Sequence, residues 1–82
     1  MITTLNNMNV AITGGLKKMT RAKAFNLILA DGGNPQKKIT KSTDVLIIAD
    51  EKANQHTIKT DKADKWFIDT ISESDFYFIV GA

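Results

Sequence analysis

Eighty-two residues, 43% of them hydrophobic, are enough for one domain with its own core and too few for two. The absence of cysteine excludes a disulfide framework and a thiolate metal site, and a single histidine, His56, excludes a histidine-built metal centre or the usual Ser/His pair. A net charge of +2 is too small to specify nucleic acid by itself, and no run of about 18 apolar residues suggests a membrane span.

The predicted elements begin after a polar stretch, Met1 to Asn7, which reads as a tail or lead-in, so that the domain is expected over residues 8–82. Asn9 to Thr13 reads as a short buried strand carrying the β-branched Val10 and Ile12. Thr20 to Asp31 is helical in pattern, with Thr20 as N-cap and Phe25, Ile28 and Leu29 recurring at i, i+3 and i+4. Gly32-Gly33 stops that helix. Pro35 opposes a central strand at its own position, which moves the expected second strand to Lys37–Thr40.

Val45-Leu46-Ile47-Ile48 is a continuous apolar run of the kind buried on both faces of a parallel sheet. A polar loop, Asp50 to Thr57, leads to a modest helix over Ile58–Phe67. A brief strand, Asp69 to Ile71, precedes a last helix through Phe76, Phe78, Ile79 and Val80, capped by Ser72 or Ser74. The alternation β-α-β-β-α-β-α makes a small α/β domain with four mostly parallel strands. Val10, Ile12, Phe25, Ile28, Leu29, Val45, Leu46, Ile47, Ile48, Ala63, Ile71 and Phe76 form the expected core.

The turn after the first strand carries the chemistry. An apolar run stops at Thr13-Gly14, a basic loop with Lys17 and Lys18 follows, and a helix opens at Thr20-Arg21. A helix start leaves N–H groups unpaired and carries partial positive charge, so such a turn suits an anion. Arg21 is the one arginine among ten lysines.

In order and spacing, Thr13-Gly14 with Leu16, Met19 and Arg21, then Gly32-Gly33, then Ile39 to Ile47, then Lys59 to Ala63, then Thr70 to Phe76, the chain resembles the BRCT family. It looks most like the single-domain subclass of NAD-dependent DNA ligases and the large subunit of replication factor C. The resemblance implies a three-layer fold with strand order 2-1-3-4, the first and third helices on one face and the second on the other. It also implies a 5′-phosphate site at Thr13, Gly14, Arg21 and Lys59. Lys17, Lys18 and Lys62 are supporting cations, and Lys52 in the polar loop lies outside the set. Two positions depart from the family: Phe76 stands where a tryptophan is frequent, and Lys65-Trp66-Phe67-Ile68 lacks the glycine usual before the fourth strand.

The residue types suit the role. Thr13 offers a hydroxyl donor, Gly14 allows close backbone approach, Arg21 can grip two oxygens, and Lys59 adds a point charge. Trp66 and Phe67 are expected in the core by their spacing from Ala63, a base-stacking platform being the alternative. No phosphate-loop or dinucleotide motif occurs, and no nucleophile is paired with a base.

The expectation is therefore a non-catalytic, monomeric DNA-binding module without cofactor or metal, reading a 5′-phosphate at an end or nick in replication or repair. The alternative is a protein-interaction adaptor that does not touch DNA. Lysine, asparagine and isoleucine usage suggests an AT-rich bacterial or phage genome, and hence a soluble cytoplasmic protein.

Overall fold

The computed structural model describes residues 2–82. Four parallel strands form one sheet in the order β2-β1-β3-β4, with β1 at Asn9–Thr13, β2 at Asn34–Gln36, β3 at Val45–Ile48 and β4 at Asp69–Ser72. Helices α1 (Arg21–Ala30), α2 (Ile58–Lys65) and α3 (Glu73–Val80) cover it. The apolar run of β3 lies between β1 and β4, as a strand without polar alternation should.

Alternation along the strands separates two cores. Val10, Ile12, Val45, Ile47 and Ile71 meet Ala24 and Ile28 of α1 and Phe76 and Tyr77 of α3. Ala11 and Leu46 meet Ala63 of α2, with Ile39 beside them. Helices α1 and α3 thus share one face and α2 takes the other. Phe76 is fully buried and fills the place the resemblance gave to tryptophan.

The caps follow the sequence. Thr20 accepts from the Lys23 amide at 3.2 Å, Ser72 from the Asp75 amide at 3.1 Å, and Thr57 forms a reciprocal capping box with Thr60. A 3-10 turn at Asp50–Lys52 interrupts the polar loop after β3.

Four expectations are corrected. The second strand is Asn34–Gln36, not Lys37–Thr40: pairing starts directly after the glycines, and Pro35 is accommodated because β2 is an edge strand. Leu29 is 57% exposed, since Ala24 and Ile28, one turn apart, form the stripe facing the sheet. The stretch 1–7 is not a loose tail: Leu5 is fully buried in the first core, Ile2 packs against it, and the Leu5 amide donates to Asp31 Oδ2 at 2.7 Å.

The fourth correction is Phe67, expected in the core but 93% exposed. It holds the left-handed position that ends α2, with φ +55°. Its amide donates to the Asp64 carbonyl at 3.4 Å and the Ile68 amide to the Ala63 carbonyl at 2.9 Å, a Schellman closure. Helices α1 and α3 close the same way around Gly32 (φ +85°) and Gly81 (φ +73°).

Candidate anion site at the end of the first strand

In a parallel sheet, the carboxyl ends of the strands and the amino ends of the following helices meet at one edge. Here that edge gathers the end of β1, the start of α1 and the start of α2. Arg21, the first residue of α1, reaches back along β1: Nη1 donates to the Ile12 carbonyl at 3.3 Å and Nη2 to the Gly14 carbonyl at 3.2 Å. Lys59, in the first turn of α2, donates from Nζ to the same Ile12 carbonyl at 2.7 Å and to the Lys37 carbonyl at 3.3 Å.

Two cations thus converge on one oxygen. Among the described residues no carboxylate forms an ion pair with either. Burial, followed by repulsion from Arg21, holds the Lys59 ammonium below the usual lysine pKa. The charges rest against carbonyl dipoles rather than acids, so an anion entering here breaks no salt bridge.

Thr13 ends β1 almost fully buried, its hydroxyl 3.3 Å from that of Thr57, the N-cap of α2. Sequence reasoning missed Thr57 as a neighbour of the site, although Thr57 and Thr60 together spell a capping signal. Gly14 has φ +89°, and a side chain there would meet Lys52 Cγ at 2.7 Å and Ala49 Cβ at 3.0 Å. Lys52 therefore lies beside the site, contrary to its expected place outside it. The Gly15 amide donates to Glu51 Oε1 at 2.6 Å, an anchoring contact that no motif announced.

The structure brings Thr13, Gly14, Arg21 and Lys59 together. It draws the supporting lysines elsewhere. Lys17 pairs with Asp50 at 3.3 Å, Lys18 Nζ lies 5.0 Å from the Tyr77 ring centre, and Lys62 Nζ lies 5.8 Å from that of Trp66. His56 is exposed beside Asp61.

Buried Glu73 fixes the loop that carries the site. Its Oε1 accepts from the Asp50 amide at 2.8 Å, and its Oε2 from the Lys17 amide at 2.7 Å and from the Tyr77 hydroxyl. The Lys18 amide in turn donates to that hydroxyl at 3.1 Å. Burial pushes the Glu73 pKa up, but the Tyr77, Asp50 and Lys17 hydrogen bonds outweigh it and hold the carboxyl below the ordinary glutamate range. Burial and the same carboxylate push the Tyr77 phenol upward.

A three-layer parallel α/β domain with a binding edge, rather than a catalytic cluster, is the class these observations define. The chain belongs to the BRCT family: the model of the BRCA1 C Terminus (BRCT) domain matches residues 3–77. Curated relatives include the DNA ligases of Oceanobacillus iheyensis (32% identical over 77 residues), Petrotoga mobilis (30% over 73) and Roseiflexus castenholzii (35% over 71). The matches cover 94%, 89% and 87% of this chain but only 11%, 10% and 10% of those ligases.

Two solved structures share the fold. Rad4 BRCT1,2 in complex with a Crb2 phosphopeptide superposes with a TM-score of 0.70 at 24% identity, covering 88% of this chain and 37% of that one. Rad4 BRCT1,2 with an Mdb1 phosphopeptide gives 0.71 at 23% identity, with 89% and 37% covered.

Proposed function

We propose that this domain is a non-catalytic reader of a 5′-phosphate at a DNA end or nick, serving replication or repair. The observation that carries the reading is the convergence of Arg21 and Lys59 on the Ile12 carbonyl with no acid in ion-pair contact. A terminal phosphate carries about −1.5 to −2 charges, against one for an internal phosphodiester, and so matches a pair of cations. Matches to DNA ligases favour DNA as the bearer of that phosphate. The phosphopeptides held by Rad4 keep a second reading open, in which the same cations take a phosphorylated partner protein.

Fluorescence anisotropy with duplexes that differ only in a 5′-phosphate tests the choice. The phosphorylated duplex should bind more tightly, with a log–log salt slope near −3 if about three phosphates are engaged. Arg21→Ala should weaken end binding by about 1.5–3 kcal/mol, the scale of a hydrogen bond to a charged group. Lys59→Ala should be non-additive with it, because both groups share one ligand. Lys41→Ala, in the exposed turn before β3, is the control. Equal losses from Arg21→Ala and Lys41→Ala would leave general charge as the only attraction, and no DNA binding at all would favour the adaptor.

A further inference from the structure

Phe67 occupies a position for which the fold has a cheaper solution. The same closure is made with glycine at the ends of α1 and α3, whereas α2 keeps an aromatic residue at φ +55°. A left-handed backbone disfavours a β-carbon, and nothing in the core offsets it here, because the ring is 93% exposed. The backbone strain and the exposed ring are both unexplained by folding. They are explained if the ring is used.

Its surroundings indicate the user. Lys59, Lys62 and Lys65 descend one side of α2 at three-residue intervals, while Asp61 and Asp64 fall behind them at 100° per residue. Trp66, adjoining Phe67, is already engaged by Lys62. The helix starts at the anion site and ends at Phe67. Eight residues of helical rise separate Lys59 from Phe67 by about 12 Å, roughly three to four B-form steps along a strand. A basic track with an aromatic ring at its far end matches the chemistry of unpaired nucleotides, whose bases stack on aromatic faces while phosphates follow the charges. Paired bases are already stacked on one another and have no free face to offer.

We infer that α2 is a track for unpaired nucleotides beside the 5′-phosphate, with Phe67 stacking on a base. The inference rests on the 5′-phosphate reading and adds to it a preference for recessed over blunt ends.

The test uses the full chain and 5′-phosphorylated duplexes that are blunt or carry a short complementary-strand overhang, one with 2-aminopurine in the overhang. The recessed end should bind more tightly, and stacking on Phe67 should quench the 2-aminopurine. Phe67→Gly should cost about fivefold or more in affinity for the recessed end, the scale of one lost base–aromatic stack, and leave the blunt end unchanged. Phe67→Trp should restore the difference. Melting of Phe67→Gly checks that the fold survives.

Equal binding of both ends by the native chain, or a recessed-end preference untouched by Phe67→Gly, would overturn the track. The phosphate reading would then still stand if Arg21→Ala abolished the 5′-phosphate effect. Loss of that effect from the native chain would remove both.

Discussion

Glu73 offers the severest test of how the site loop is held. Glu73→Gln keeps the shape of a side chain that is 1% exposed but replaces one acceptor oxygen with a donor amide. With its oxygen turned to the Lys17 amide and the Tyr77 hydroxyl, the new NH2 faces the Asp50 amide, donor against donor. One charge-assisted bond is lost, two are weakened, and a buried N–H is orphaned. At about 1.5–3 kcal/mol for a bond to a charged group, and 1–3 for an unsatisfied buried donor, the cost is about 3–5 kcal/mol. That is a large share of the stability of so small a domain.

Urea unfolding followed by far-UV circular dichroism and by the single tryptophan, Trp66, reads the loss as a fall in midpoint at constant slope. Tyr77→Phe removes one donor and leaves the carboxylate its two backbone partners, so it should cost less. The pH dependence carries the sign. Because the folded-state pKa lies below the ordinary value of 4.5, the contribution of Glu73 is complete above about pH 4.5 and is lost as pH falls through the folded value. Native protein should lose that increment in acid and Glu73→Gln should not. A change below about 1 kcal/mol on Glu73→Gln, or parallel acid profiles of the two proteins, would refute the claim that this carboxylate bears the loop.

Further outcomes concern Lys59, Leu5 and Phe67. Since Lys59 titrates below the usual lysine value and a bound phosphate favours its charged form, 5′-phosphate affinity should decline as pH rises through the lysine's free-state pKa; Lys59→Arg should flatten the anisotropy profile. Leu5→Ala should lower stability by about 2–5 kcal/mol in the same urea assay, a core-sized loss from the supposed lead-in. Phe67→Gly should raise the melting temperature, with relief of left-handed strain of about 1–2 kcal/mol partly offset by the extra unfolded-state freedom of glycine.

Most of the fold was legible in the sequence because its signals are local. Val45 to Ile48 announces a two-sided strand, Thr20 and Ser72 announce helix starts, and Gly32-Gly33 announces a stop. The misses arise where tertiary context decides. Leu5 is one apolar residue amid polar neighbours, and only the gap above α1 and the Asp31 carboxylate make it core. Pro35 argued the strand away from the edge that tolerates it. Phe67 was read by helical spacing, but α2 ends before it, and the turn rotates the ring outward.

The site was legible in its residue types, not in its assembly. Thr13, Gly14 and Arg21 are near neighbours in sequence. Lys59 joins them only through the crossover that returns α2 to the end of β1, and Thr57 comes with it. Lys17 and Lys18, adjacent in sequence to the same turn, are drawn toward α3 by Asp50 and Tyr77.

Ile12 belongs to two worlds at once. Its side chain is sealed in the first core, and its carbonyl is the point to which both cations are tethered. The spacing of the charges is therefore surveyed from an atom of a central strand, not from the loops that carry neighbouring residues. Those loops can drift while the datum stays put. The ordering cost of aiming two long, flexible side chains is met when the sheet closes, and a ligand arriving later finds the charges already in register.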